Sequence, residues 1–269
     1  MGKKRAFLHI LTEYSQYSMG FVIITPENRA IIIDGGRSLE LPNLTEHVGG
    51  RPVAAWILTH PHSDHITCIN HALKHDHPLI DATERFLYNF HTLDFYSTTG
   101  RVGELDALRN FLEYEPKIAD RASHPVTGDV LEIDGLKIEF LFHRDERFTE
   151  NIINDSSLVF RVTGEFQSVL FLGDLGPVAG RAMLEKQGQN LEADVVQMAH
   201  HGHMCVEKEV YEAIDPRACI WCCQAWLYRE NDREIRPGMY GVAATRRWME
   251  ELGTIEHYVT KDGDQIITI

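Results

Sequence analysis

Short apolar runs punctuated by glycine, proline, asparagine and aspartate recur along the chain. Residues 5–11 read as a first strand. Gly20–Thr25 and Ala30–Asp34 read as two more, joined in a hairpin at Pro26-Glu-Asn-Arg29. Ser38–Val48 reads as a helix or loop over one face, and Val53–Leu58 as a buried strand. Ile66–Lys74 reads as a helix, with Ser63 and Asp64 as capping candidates. Pro78–Asp81 predicts a short strand. Over residues 84–115, helical spacing at Phe86, Leu87 and Phe90, and again at Leu105, Leu108 and Leu112, predicts two helices able to wall a cleft. The aromatics there (Phe86, Tyr88, Phe90, Phe95, Tyr96) read as core.

The second half is patterned in the same way. Asp134-Gly135 marks the turn of a hairpin over Thr127–His143. Ser157–Thr163 and Ser168–Leu172 form another. Residues 178–190 predict a helix, and the run from Ala193 a strand ending in histidines. Ala218–Cys223 predicts a strand and Val242–Leu252 an amphipathic helix. Glu256–Val259 and Gln265–Ile269 read as strands around Lys261-Asp-Gly-Asp264. No linker, low-complexity segment or exact repeat interrupts the pattern, so residues 1–269 are expected to form a single domain.

One loop carries concentrated chemistry. After the strand ending at Leu58 comes Thr59-His-Pro-His-Ser-Asp-His65, with four potential metal ligands within six residues: His60, His62, Asp64 and His65. Imidazoles with a carboxylate suit zinc, manganese or iron. His60 and His62 alternate and can face one ion; Asp64 and His65 can face a second beside it. A solvated His-rich loop is the competing reading, and His71, His75, His77 and His91 read that way, as surface or structural residues.

Composition narrows the picture further. Apolar residues make up 43% and charged residues 25%, ordinary for a globular protein. The net charge of −14 opposes a dedicated nucleic-acid surface at long range, yet a small or short phosphodiester substrate remains compatible. No apolar run has the length of a membrane span. The apolar start ends at Glu13, too early for a signal peptide, so a cytoplasmic location is expected. Five cysteines (68, 205, 219, 222 and 223) form no disulfide ladder, and Cys222 and Cys223, in the apolar run Ala218–Ala225, read as buried thiols. The oligomeric state is not legible.

The His-x-His-x-Asp-His string resembles the signature of the metallo-β-lactamase superfamily of binuclear hydrolases. The resemblance implies an α+β fold, the four-layer αββα sandwich. It implies that Asp34, at the end of its strand, orients the metal loop. It implies that Asp174, in Gly173-Asp-Leu-Gly176, bridges two divalent ions. It also implies that one of His200 and His201 completes the second site, and the following Gly202 favours His201. The order of motifs is more specific. The His string is followed by Asn154-Asp-Ser-Ser-Leu-Val-Phe160, Phe171-Leu-Gly-Asp174 and Asp194-Val-Val-Gln-Met-Ala-His-His-Gly202. Together these resemble the hydrolase domain of bacterial competence DNA-uptake channel proteins and their soluble relatives.

Two departures stand out. Many superfamily members place a histidine in the third motif. Here Asn154 and Ser156 occupy that region, and His143 is the nearest histidine. Near the N-terminus, Tyr14-Ser-Gln-Tyr-Ser-Met19 replaces the glycine-rich turn of the competence domains. The expected function is hydrolysis by a metal-bridging hydroxide, most naturally of a phosphodiester, with zinc or manganese, or iron, as cofactor. Asp64 is a candidate for proton transfer, and His203 or His143 for protonating the leaving group. A carboxylic ester, thioester or lactone hydrolase is the alternative, and a metal-binding scaffold protein without activity the third reading.

Overall fold

The computed structural model describes residues 5–98, 102–229 and 240–269. The basic start at residues 1–4, and residues 99–101 of the stretch read as two helices, lie outside them.

The chain opens with strands β1 (Phe7–Ile10), β2 (Gly20–Ile24) and β3 (Ala30–Asp34), then helix α1 (Leu41–Val48), strand β4 (Val53–Ile57) and helix α2 (Ser63–Lys74). Helix α3 (Pro78–Ala82), strand β5 (Phe86–Leu87), helices α4 (Leu93–Ser97) and α5 (Asp106–Tyr114) and strand β6 (Ala122–Ser123) complete the first half. The second half runs β7 (Val130–Ile133), β8 (Leu136–Phe142), β9 (Val159–Thr163), β10 (Ser168–Phe171), α6 (Pro177–Gln187), β11 (Val195–Gln197), α7 (Lys208–Ile214) and β12 (Ala218–Trp221). It closes with α8 (Ala225–Tyr228), α9 (Val242–Glu251), β13 (Glu256–Val259) and β14 (Gln265–Thr268).

Two seven-stranded sheets result, in the orders β14-β1-β2-β3-β4-β5-β6 and β13-β12-β11-β10-β9-β8-β7. Each is antiparallel on one side and parallel on the other, switching at β3 in the first and β10 in the second. Strand alternation builds the layers. In β3, Ile31 and Ile33 point between the sheets, where they join Phe21, Ile57, Phe160, Phe171 and Ile220 in one buried cluster. Ile32 points the other way, beneath Leu44 of α1 and Ile69 of α2. In the second sheet, Leu170 and Val196 pack outward against Met183 of α6 and Val210 of α7. Helices therefore cover both outer faces, as the four-layer expectation requires. No helix among the described residues is long and apolar enough to cross a membrane.

Local expectations needed correction in three places. Pro78–Asp81 lies in a helix, not a strand: Pro78 takes the first helical position and the His77 side chain accepts from the Leu79 N–H. Phe86 and Leu87 form β5 beside β4 although their spacing matches a helical period; among the described residues the α-helices of this stretch are α4 and α5, further on. Helix α2 starts at Ser63, and extended His62 stands at its N-cap with no side-chain cap. Ser63 and Asp64 therefore sit inside the first turn.

Candidate metal centre

The functional side chains lie just beyond the carboxyl ends of β3, β4, β10 and β11, where the parallel halves of both sheets open. Among the described residues, two groups of donor atoms are close enough to hold an ion: His60, His62 and Asp174, and Asp64, His65 and His201. The sequence loop supplies four of these, and the second sheet supplies Asp174 and His201. Asp174 faces both groups. Its Oδ1 lies 3.3 Å from His65 Nε2, and its Oδ2 lies 3.6 Å from His60 Nε2 and 3.8 Å from His201 Nε2. His201 Nε2 is also 3.2 Å from Asp64 Oδ2.

The histidines are oriented from behind. His60 Nδ1 pairs with the Thr59 hydroxyl at 3.1 Å, and that hydroxyl donates to Asp34 Oδ2 at 2.8 Å. His65 Nδ1 donates to Asp34 Oδ2 at 2.8 Å, and His201 Nδ1 to the Cys222 carbonyl at 2.8 Å. With Nδ1 engaged in each ring, Nε2 is left to face the centre. The Thr59 N–H also donates to Asp34 Oδ1 at 2.7 Å, and the Trp56 indole to the Asp34 carbonyl at 2.6 Å. Asp34 is thus an orienting residue with no place in either donor group.

These side chains fit bound cations. His65 Nε2, His201 Nε2 and Asp174 Oδ1 are buried and face one another or Asp64 at 3.2–3.3 Å without hydrogen bonds of good geometry. Leaving such atoms unpaired in a dry interior is costly, unless something with positive charge accepts their lone pairs. The electrostatic surroundings agree. Burial alone would raise the Asp174 carboxyl, but His65, His201, His200 and His60 outweigh it and hold it well below the usual carboxylate range. Burial would likewise raise Asp64, but the close approach of His201 and the charge of His65 push it far down. Burial would lower His65 and His201; Asp174 and its carboxylate neighbours instead raise both, His201 to about 9. Protons on these rings occupy the electrostatic place of a cation.

Backbone strain marks the same loops. Asp34 has φ 54°, His200 φ 50° and His201 φ 57°, left-handed values uncommon for residues with a side chain. The turn they make aims His201 inward. His200 Nε2 lies equally far from Asp174 Oδ2, at 3.8 Å, but its side chain is 29% exposed and it joins neither donor group, whereas His201 also reaches Asp64. His203 lies beside His200, and burial together with His200 and His201 lowers it to about 3.

Other sequence candidates fall outside the donor groups. His143 Nδ1 accepts from the Thr127 N–H at 3.1 Å. Ser156 Oγ is occupied by Tyr96 Oη at 2.7 Å and the Ile153 carbonyl at 2.7 Å. Asn154 is buried with its Oδ1 unpartnered, but joins neither group. Sequence reasoning missed Thr59 and Ser157, whose hydroxyl accepts from the Asp174 N–H at 3.1 Å. Both sit inside motifs already noted, and a hydroxyl next to a ligand was the available signal. It also missed Glu104, whose Oε2 comes within 3.9 Å of His62 Nε2 and which no local pattern marks.

A family profile described as the metallo-beta-lactamase superfamily matches residues 18–210, which contain every donor in both groups. The chain belongs to the metallo-beta-lactamase superfamily. Members of this superfamily are metal-dependent hydrolases that typically bind two metal ions. Solved structures share the metallo-beta-lactamase fold. YhfI from Bacillus subtilis, a metallo-beta-lactamase fold protein, is 13% identical with a TM-score of 0.56, covering 98% of this chain and 100% of that one. Yeast PDE1 is 11% identical with a TM-score of 0.55, covering 98% and 100%. CmlA from Streptomyces venezuelae, a diiron beta-hydroxylase, is 12% identical with a TM-score of 0.59; the match covers all of this chain but 55% of CmlA. At these identities the likeness is one of fold. No curated protein matches the sequence.

Proposed function

We propose that this metallo-beta-lactamase superfamily member is a hydrolase of small phosphodiesters that works with two divalent ions. The observation that carries the reading is the single carboxylate of Asp174 facing both donor groups. His60, His62 and Asp174 would hold one ion; Asp64, His65 and His201, with Asp174 again, the other. When bound, such a pair activates water near neutral pH and stabilises charge on the attacked group. The chain's own part is to hold that geometry: Asp34, Thr59 and the Cys222 carbonyl fix the rings, and Ser157 fixes the strand end bearing Asp174. Asp64 stays ionised at neutral pH, which suits a ligand better than an acid. His203 stays neutral beside its histidine neighbours, so it would need a substrate's negative charge to act as the leaving-group acid.

The resemblance of the motif order to that of the competence-type hydrolase domains favours a phosphodiester. The net charge of −14 favours a small substrate over a nucleic acid. It also favours the second reading, an ester, thioester or lactone, because it repels anionic substrates at long range. Zinc and manganese both suit the His/Asp donors, and iron is compatible. Five buried, unpaired cysteines support a reducing, cytoplasmic setting.

The test is hydrolysis of bis(p-nitrophenyl) phosphate by metal-stripped protein reloaded with manganese or zinc, beside Asp174→Ala. Turnover is expected in the wild type and a loss of about a hundredfold or more in the variant. Full metal occupancy without turnover would transfer the reading to carboxylic or thioester substrates. Failure to take up either ion would sink the enzyme reading.

A further inference from the structure

The loop between β1 and β2, where the chain departs from the competence domains, presents one aromatic ring in a forced conformation. Tyr17 has φ 51°, a left-handed value that costs any residue with a side chain. Neighbours on several elements hold the loop there. Glu40 accepts from the N–H groups of Tyr14 and Ser15 at 3.1 and 2.9 Å. Arg37 Nε donates to the carbonyls of Gln16 and Tyr17 at 2.9 and 3.0 Å. The Ser18 N–H reaches Glu13 at 3.1 Å, and the Gln224 amide donates to the Ser15 carbonyl at 3.1 Å.

Tyr17 is aimed at the metal donors. Its ring centre lies 5.7 Å from that of His201, 6.0 Å from His203 and 5.5 Å from Trp226, all edge to face. Tyr240 lies 5.0 Å from His203 and 5.9 Å from Trp226, and its phenol hydrogen-bonds Tyr17. Separate stretches of chain therefore bring these rings to one edge of the centre. Trp221 and Tyr211 nearby are fully buried, whereas Tyr17, Trp226, Tyr240 and His203 stay half-exposed. Tyr17, Trp226 and Tyr240 rest on the second-sheet core on one side and keep part of their surface open on the side of the donors. His203 Nε2, within the cluster, has no hydrogen-bond partner.

We propose that Tyr17, Trp226 and Tyr240 form a subsite for a planar aromatic ring on one arm of the substrate, with His203 Nε2 as its polar contact. The inference rests on the hydrolase reading and narrows its substrate class to esters bearing an aromatic ring. Offset and edge-to-face ring contacts favour such a group over an alkyl one.

The experiment is calorimetric titration of the manganese-loaded full chain with phenylphosphonate, methylphosphonate, benzoate and acetate. The wild type is expected to prefer phenyl to methylphosphonate by about tenfold. In Tyr17→Gly, which keeps the left-handed backbone unstrained, and in Trp226→Leu, the ratio is expected to fall toward one. Melting curves confirm that each variant is folded. Equal wild-type affinities, a ratio unchanged in both variants, or binding of no probe overturns the subsite. If benzoate outbinds acetate while neither phosphonate binds, the aromatic subsite stands and the phosphodiester reading falls.

Discussion

His60, His65 and His201 each commit one ring nitrogen to the protein and turn the other toward the same small volume. The contiguous histidines were legible because their spacing is local. The choice of His201 over His200 was legible only as a preference, because it depends on a pair of left-handed residues whose direction no spacing encodes. His91, read as surface or structural, proves buried: Arg144 Nη1 donates to its Nδ1 at 3.0 Å. Burial, and then the Arg144 charge, lower its pKa from 6.5 to about 4. The folded value lies below the unfolded one, so its contribution to stability is complete above pH 6.5 and is lost as pH falls toward 4. Urea midpoints should show the wild type losing on the order of 1–3 kcal/mol through this group between about pH 7 and 4.5. His91→Gln, which keeps an acceptor for Arg144, should lose less over the same range. Equal losses would assign the acid sensitivity elsewhere.

Elements explain where reading by pattern stops. The apolar strands were visible because both sheets bury them on two faces, leaving runs such as Ala30–Asp34 almost wholly inside. Short elements were not. Pro78 opens a one-turn helix that the apolar pattern alone mistook for a strand, and Phe86 matched a helical period while belonging to β5. Thr59 bonds Asp34 between neighbouring strand ends of the first sheet, and Ser157 bonds Asp174 between those of the second, relations that exist only after folding. The turn after β11 offers a test at this scale. Gly202 has φ 85°, and a Cβ there would meet the Trp221 ring at 2.5 Å. Gly202→Ala should cost on the order of 1–3 kcal/mol in a denaturant melt. It should also move His201 enough to lower bound metal from two ions per chain toward one. Unchanged metal content would show that the turn tolerates the methyl.

Across the whole molecule, each sheet was predicted from its hairpins, but their face-to-face registration and the meeting of donors from both required the assembled structure. The centre joins them. Free metal at about a hundredfold over each dissociation constant should stabilise the fold by about 3 kcal/mol per ion. For a protein of this size, a chelator should then lower the melting temperature by about 10 °C or more. An unchanged melt, with metal loss verified, would separate the centre from stability. Donors on two sheets also impose an order in time. A ribosome releases His60, His62, Asp64 and His65 long before Asp174 and His201 have been synthesised. A nascent first half carries an incomplete coordination set, and only docking of the second sheet completes it. Were these donors to hold ions, occupancy would report that the chain has been made through His201 and that the two sheets have docked, which neither set of donors can report alone.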